Sequence, residues 1–392
     1  MSRALGLVMS AVVLAACGGG PILANPPLEY PAPIAPTTPP VSPTDPMPVE
    51  LPRDDGPHGR LTEWWYYTGH LQAEDGRRFG FEAVVFRAER GSVPPSFAAH
   101  LALTDEGGQR FTYAQRSEIG PQVDRSPRDE LGLPTGFDLQ VAGLNPDLIA
   151  AGAPPFADPW RLAGSGGRDS IEAALTEEEA AAAGRSFGLR LALTSTKPAA
   201  LHDGDGFVDF GPAGSSYYYS RTRLAASGEL TLEGERVAVE GIAWFDHQWG
   251  DFISVGGGWD WFAINLGDGR DITISVVRDA PGMPVLGYGT LVEADGTARH
   301  LGTDAFEVSA DDAWTSPVSG NTYPINWRVE IPAAGLAIEL RPTIVDQELD
   351  TRPTTGVAYW EGSQSVTAIS STPPLVIGGE AYVEVTRYDG PP

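Results

Sequence analysis

The chain has 392 residues, with 26 Lys and Arg against 52 Asp and Glu and a formal net charge of −26. This acidity, without any basic run, argues against a nucleic-acid partner, because phosphate binding needs basic patches. A hydrophobic content of 42% and ten Trp exclude a wholly disordered chain.

The first residues predict an exported lipoprotein. Arg3 precedes an apolar run over residues 4–16, which is typical of a secretory signal and too short for a membrane-spanning helix. The run ends in LAACG at residues 14–18, which resembles a bacterial lipobox and implies lipidation of Cys17, the single cysteine. We therefore expect a signal peptide at residues 1–16 and a mature chain anchored by lipid to the extracytoplasmic face of a bacterial membrane. An ordinary signal peptide with a chance cysteine is the alternative.

The next segment, residues 17–57, is predicted to be a tether that follows the lipidated cysteine. Thirteen of the 35 prolines lie between Pro21 and Pro57. Such a composition favours extended, polyproline-like conformations and cannot build a core.

After residue 57 the pattern is typical of an all-β protein. Runs such as GRRFGFEAVVFR (76–87) and RDITISVVRD (270–279) alternate with Asp-Gly and Gly-Gly turns, which indicates antiparallel hairpins. The clearest helix is TEEEAAAAG (176–184), which has a Thr cap, acids in its first turn and a final Gly.

A weak internal repeat predicts two β domains in tandem. The stretch WWYY (64–67) aligns with WDWF (259–262), and a DGR turn follows each, at 75–77 and 268–270, with a register that drifts through small turn deletions. We predict an N-terminal domain at residues 58–225 and a C-terminal domain at residues 226–392. Each has a size that suits a closed antiparallel barrel of about eight strands with an internal cavity; a sandwich remains the alternative.

The aromatic stretches supply the candidate site residues. In EWWYYTGHL (63–71), strand alternation places Glu63 and Trp65 on one face and Trp64 and Tyr66 on the other. The predicted ligand-binding residues are Glu63, Trp64, Trp65, Tyr67, Tyr218, Trp259, Trp261 and Trp360. Simple packing of these rings in a core or an interdomain seam is the alternative for each of them.

Acidic and imidazole groups among the aromatics are the candidate catalysts. In GIAWFDHQWGDF (241–252), alternation separates Asp246 from His247, so the two do not form a direct dyad. An ionisable group against an indole face can have its pKa moved toward neutrality. The predicted catalytic residues are His247, Asp246, Asp260 and Trp249, with structural hydrogen bonding as the alternative.

Other chemistries lack their usual patterns. The six His, at 58, 70, 100, 202, 247 and 300, show neither an HExxH motif nor paired ligand spacing. A Gly-x-Ser-x-Gly elbow and a phosphate loop are also missing from the sequence. We therefore expect no metal and no cofactor.

Together the motifs EWWYYTGHL, KPAALHDGDG (197–206), SSYYYSRTRL (215–224), GIAWFDHQWGDF and GWDWFAINL (258–266) resemble the CrtC/AttH family. The resemblance runs from about His58 to the C-terminus and implies two lipocalin-like barrels packed together. One branch of that family, the carotenoid 1,2-hydratases, protonates a terminal alkene. HQW (247–249) matches the His-x-Trp motif of that branch, whereas strand 271–278 lacks its Tyr-x-Asp.

Three functions remain in view. The first is a membrane-anchored protein that binds a hydrophobic ligand, a lipid or an isoprenoid, with an ABC-type export system as a candidate partner. The second is a hydratase (a lyase) or an isomerase that uses acid catalysis on an alkene. The third is a scaffold whose aromatics only pack. The first two require an apolar hollow inside the barrels or between them.

Overall fold

The computed structural model describes residues 45–91, 93–143, 158–252, 257–279, 281–371 and 374–387. The predicted signal peptide, Cys17 and the first part of the predicted tether lie outside these ranges. Among the described residues, none of the helices combines the length and the apolar character needed to cross a membrane.

Antiparallel strands make up most of the structure. The first sheet contains β1 (Thr62–Ala73), β2 (Arg78–Ala88), β3 (Ser96–Asp105), β4 (Arg110–Ile119), β5 (Phe137–Val141), β6 (Trp160–Ser165), β7 (Arg168–Ala174), β8 (Phe187–Ser195), β9 (Ala200–Leu201), β10 (Phe207–Asp209), β11 (Gly214–Leu232) and β12 (Glu235–Phe252). The second contains β13 (Trp259–Leu266), β14 (Asp271–Arg278), β15 (Pro284–Val292), β16 (Ala298–Gly302), β17 (Glu307–Thr315), β18 (Thr322–Ile331), β19 (Leu336–Pro342), β20 (Glu348–Asp350), β21 (Ala358–Ser371) and β22 (Pro374–Arg387).

The two sheets share one plan, which confirms the all-β prediction and the repeat. Strand order is β4-β3-β2-β1-β12-β11-β8-β7-β6-β5 in the first and β16-β15-β14-β13-β22-β21-β19-β18-β17 in the second. In each, the first strand pairs with the last. The first sheet forms a near-closed barrel and the second a half-barrel, in agreement with tandem lipocalin-like barrels.

The two Asp-Gly-Arg turns of the repeat have the same hydrogen bond. Oδ1 of Asp75 accepts a hydrogen bond from the Arg77 N–H at 3.0 Å, and Oδ1 of Asp268 accepts one from Arg270 at 3.1 Å. The glycine inside each turn has a φ near +90°, which side chains with a Cβ rarely adopt.

The sheets divide at a different point from the predicted 225/226 boundary. That position lies inside β11, and β12 pairs with both β1 and β11 in the first sheet. The change of sheet therefore falls between Phe252 and Trp259. The composition around residues 225–228 is turn-like, but a continuous β11 carries the chain through it.

Residues 45–57, the last part of the predicted tether, pack on the first barrel. Asp45 pairs with Arg60 at 2.8 Å. Asp55 is fully buried and accepts a hydrogen bond from the Arg221 guanidinium at 2.6 Å. Asp55 thus binds a basic partner far along the chain, which a proline count cannot reveal.

The predicted helix is confirmed as α1, Glu177–Ala183. Thr176 Oγ1 accepts a hydrogen bond from the N–H of Glu179, whose side chain accepts one from the N–H of Thr176. The helix begins at this reciprocal cap and ends at Gly184, whose backbone is in the left-handed region.

Strand alternation sends side chains into several apolar clusters, of which the three largest position the site. One fills the first barrel and includes Trp65, Tyr67 and Phe245. A second fills the half-barrel and includes Phe262 and Trp360. The third lies where the outer faces of the two barrels meet, and we call this contact the seam. Its rings are Trp64, Tyr66, Phe86, Trp244, Trp259, Trp261 and Tyr382.

Candidate active site

The predicted site residues fall in three separate places. Glu63, Trp65, Tyr67, His247 and Trp249 lie inside the first barrel, while Asp246, Tyr218, Trp64, Trp259 and Trp261 lie at the seam. Asp260 and Trp360 belong to the half-barrel. Asp260 pairs with Arg278 at 2.6 Å, and the Trp360 indole donates to the carbonyl of Val345 at 2.9 Å. The four predicted catalytic residues therefore do not meet at one point.

Asp246 lies on the seam side of β12 and is held by several donors. The Trp244 indole donates to its Oδ1 at 2.6 Å, and the hydroxyls of Ser220 and Tyr218 donate to its two oxygens. Burial raises the pKa of Asp246 to about 6, although these hydrogen bonds act in the opposite direction. His247 faces the other way, as alternation predicted.

A row of three carboxyl groups crosses the seam beside Asp246. Glu82 lies on β2, Glu361 on β21 and Glu384 on β22, and all three are buried. None of them forms an ion pair with a basic side chain in the described parts of the chain. A row of acids without cations is unusual in a protein interior, since buried charges are normally paired.

Burial keeps these acids protonated at higher pH than usual. It raises the pKa of Glu384 to about 7, against hydrogen bonds from Thr386 and Trp259. It also raises the pKa of Glu82 and that of Glu361, whose proton is further favoured by the charges of its neighbours. Among the described residues, neither oxygen of Glu361 receives a hydrogen bond of normal geometry.

A chain of hydrogen bonds leads from Glu82 toward the surface. The Tyr359 hydroxyl lies 2.7 Å from Glu82 Oε1 and 2.7 Å from Nδ1 of His100. Nε2 of His100 lies 3.1 Å from Oγ1 of Thr354, which is 2.6 Å from Oε1 of the half-buried Gln115. Burial lowers the pKa of His100 to about 3, so its imidazole is neutral.

A second polar group lies inside the first barrel. Glu63 Oε1 is 2.8 Å from Nδ1 of His58 and 3.1 Å from Nε2 of His247. Burial raises the pKa of Glu63, but hydrogen bonds and charges from both histidines outweigh it, so the net pKa is lowered. Spacing in the sequence did not reveal this cluster, because His247 is remote from the other two members along the chain.

Sequence reasoning missed the seam acids as well. Each is one acidic residue within an apolar strand, as in FGFEAVVF (79–86), YWEG (359–362) and AYVEVTRY (381–388). An acid flanked on both sides by apolar residues is the signal that could have found them.

An open groove lies at one end of the seam. Its volume is about 600 Å³, and both barrels line it, through Ile242 and Arg78 of the first and Leu266, Ile377 and Glu380 of the second. At the other end Trp64 and Trp259 are half-buried. A large apolar cluster packs inside the first barrel, where an internal cavity was expected, and this groove lies between the barrels.

Comparison with known proteins gives one family and several structures. The sequence profile of the AttH-like family matches residues 42–388. A search of curated protein sequences gives no match.

Three solved structures share the fold. A protein described as AttH, from Nitrosomonas europaea, is 26% identical with a TM-score of 0.71 and covers 88% of this chain and 98% of its own. Kievitone hydratase from Nectria haematococca is 16% identical with a TM-score of 0.58, covering 87% and 93%. CghA, solved with Sch210972, is 14% identical with a TM-score of 0.50, covering 84% and 90%.

Proposed function

The chain belongs to the AttH-like family, and from this premise we propose that its seam carries out acid catalysis on an apolar, unsaturated ligand. The reaction class is hydration or isomerisation of an alkene. Glu384 is the acid that faces the ligand, and Glu82, Tyr359 and His100 supply its proton.

The observation that carries this proposal is the row of Glu82, Glu361 and Glu384, buried without cations. Burying an acid without a cation destabilises the fold, because the charged form loses its hydration. A protein that only bound an apolar ligand would have no use for such groups. An acid catalyst does, since it must hold a proton at neutral pH until the ligand arrives.

The aromatic rings of the seam support the choice of ligand. The Trp259 indole donates to Glu384 Oε1 at 2.8 Å, and Trp261 lies on the same face of β13. Transfer of the Glu384 proton to an alkene carbon forms a C–H bond from the π electrons and leaves a carbocation. Faces of indole and phenol rings stabilise such a cation.

The remaining step returns a proton to the carboxylate. Water adds to the cation and releases a proton, which gives the hydrated product, or a neighbouring carbon loses one, which gives an isomer. The hydrogen-bonded chain from Gln115 to Glu82 supports exchange of protons with solvent. If Glu82 is protonated, it donates to Tyr359, Tyr359 donates to His100, and His100 donates to Thr354, so each group has a partner.

The comparisons support the fold that this chemistry needs. Kievitone hydratase has this fold and carries a hydration activity in its name. At 16% identity the likeness shows only the fold, so the activity of this chain depends on its own seam residues.

To test the proposal, the purified full chain is incubated with lycopene or squalene in deuterium oxide. We expect deuterium on carbon in the product and loss of about 100-fold or more in rate for Glu384→Gln, as for removal of a general acid. Glu339→Gln, an exposed acid on β19, serves as the control. If the wild type incorporates no deuterium into either polyene, or Glu384→Gln reacts like the control, acid catalysis by Glu384 is wrong.

Binding without chemistry is the second candidate, and the open groove favours it. Leu375 and Val376 at its rim are 55% and 68% exposed. Adjacent exposed apolar side chains beside a groove are typical of a binding site. Native mass spectrometry of detergent-free protein should then show a co-purifying lipid, and the lipid should be released without chemical change. A ligand-free spectrum would count against this candidate.

For location we propose a lipid anchor at Cys17 on the extracytoplasmic face, where apolar ligands partition. An ABC-type export system remains a proposed partner. Globomycin, which blocks cleavage of lipoprotein signals, should make the precursor accumulate. Unchanged processing would be incompatible with the anchor.

A further inference from the structure

We propose that His58, Glu63 and His247 form a binding site for a divalent cation of the zinc type at the mouth of the first barrel. One ligand atom from each residue lies within 4.8 Å of the other two. His58 lies in the segment that leads from residues 45–57, the docked segment, into β1, Glu63 lies on β1, and His247 lies on β12, which pairs with β1. The site is on the opposite face of β1 from the seam and is independent of the function proposed there.

The distances between the donor atoms fit a shared ion. Glu63 Oε1 lies 2.8 Å from Nδ1 of His58 and 3.1 Å from Nε2 of His247. Zinc holds such nitrogen and oxygen atoms at about 2.0–2.2 Å, so neighbouring ligands are separated by roughly 3 Å. Two imidazoles and one carboxylate are a common zinc donor set that leaves a further position open.

Aromatic stacking holds both imidazoles in place. The His58 ring stacks on Trp249 with centroids 4.1 Å apart and planes 2° apart. The His247 ring stacks on Trp65 at 4.7 Å. Ligands whose rings are already fixed lose little freedom on binding an ion, and an apolar shell strengthens the attraction.

The surrounding charges are mixed, with acids on the side of the docked segment. Asp54 Oδ1 lies 3.6 Å from Nε2 of His58, where it can orient the imidazole as an outer carboxylate does in zinc sites. Arg87 lies 3.5 Å from Glu63 Oε2 and opposes a cation. Buried Asp55 adds a negative charge that acts on His247, although it also pairs with Arg221.

An ion can reach the cluster from solvent. The side chains of Glu63 and His247 are fully buried, whereas that of His58 is 21% exposed. A cation entering past His58 would replace the protons that these groups now share, and it would tie the docked segment to the barrel.

The test uses the full chain, treated with chelator and then titrated with ZnCl₂ by calorimetry and with CoCl₂ by visible absorption. We expect one ion per chain and absorption bands typical of cobalt bound to nitrogen and oxygen. Loss of an outer carboxylate usually weakens zinc binding by about 10–100-fold, so this is the expected effect of Asp54→Asn. Glu63→Gln, His58→Gln and His247→Gln each remove a direct ligand and should weaken binding by at least about 100-fold.

His300→Gln is the matched control, because His300 also pairs with a carboxylate, Asp203 at 3.2 Å, but lies on the surface. Circular dichroism of the metal-free variants checks their folding. Because the His58 side chain is partly exposed, His58→Gln still tests the site if a variant of a buried ligand unfolds. A wild-type chain that binds neither ion would overturn the site. Equal binding by His300→Gln and a folded His58→Gln would do the same.

Discussion

At the scale of single residues, the seam acids show how burial raises the pKa of a carboxyl group. Glu384 accepts hydrogen bonds from Trp259 at 2.8 Å and from Thr386 at 2.7 Å, yet its pKa is raised to about 7. The loss of hydration on burial therefore raises the pKa of this carboxyl group by more than two neutral hydrogen bonds lower it.

This shift predicts how stability depends on pH. The folded pKa of Glu384 is above its unfolded value of 4.5, so its contribution is complete below pH 4.5 and is lost as the pH rises to about 7. Over these two and a half pH units the loss is about 3 kcal/mol, at about 1.4 kcal/mol per unit. Urea unfolding between pH 4.5 and 8 should show a smaller decline for Glu384→Gln than for Glu339→Gln. Parallel curves would show that Glu384 is not protonated in the fold.

Residue identity was only partly predictable. Alternation along a strand correctly separated Asp246 from His247, because successive side chains of a strand face opposite ways. The pairing of Glu63 with His247 depends on strand contacts between distant parts of the chain. The meeting of Glu82, Glu361 and Glu384 depends on such contacts as well.

At the scale of elements, the local sequence was sufficient to predict those turns and helix ends whose hydrogen bonds are formed by neighbouring residues. The Asp-Gly turns that precede β2 and β14, and the cap of α1, are set by neighbouring residues. The length of β11 was not predictable in this way, since it is fixed by pairing with β8 on one side and β12 on the other.

The cap of α1 gives a prediction at this scale. Thr176→Ala removes the acceptor for the Glu179 N–H, which should lower the free energy of unfolding by about 1 kcal/mol. Thr176→Ser keeps the hydroxyl and should stay close to the wild type in urea unfolding. If both variants behave alike, the cap contributes nothing to global stability.

At the scale of the whole molecule, a buried acid joins the two barrels at the seam. Asp271 of the half-barrel accepts from Lys197 and Arg223 of the first barrel, both at 2.6 Å. It also accepts from Thr222 at 2.9 Å and from Asn265 at 2.7 Å. Two cations around one fully buried carboxylate leave the barrels little freedom to separate.

Neutralising this carboxylate should therefore weaken the whole molecule. Asp271→Asn leaves two partly buried cations without their fully buried partner and should cost about 3 kcal/mol in the free energy of unfolding. Asp268→Asn, three residues away, breaks only a pair with Arg270 in its own turn and should cost less than about 1 kcal/mol. Calorimetry decides between them, and equal melting temperatures would mean that Asp271 does not join the barrels.

The sequence by itself determined the class of fold, the duplication and the aromatic strands, because strand period, turn residues and repeats are local properties of a chain. It also predicts an export signal from a short apolar run, which lies outside the described residues. Only the tertiary structure decided which faces of the strands meet, and so brought three acids to the seam and two histidines to Glu63. Apart from that of His58 with Glu63, these contacts arise from packing between strands remote in sequence, and burial then affects the charge of each group.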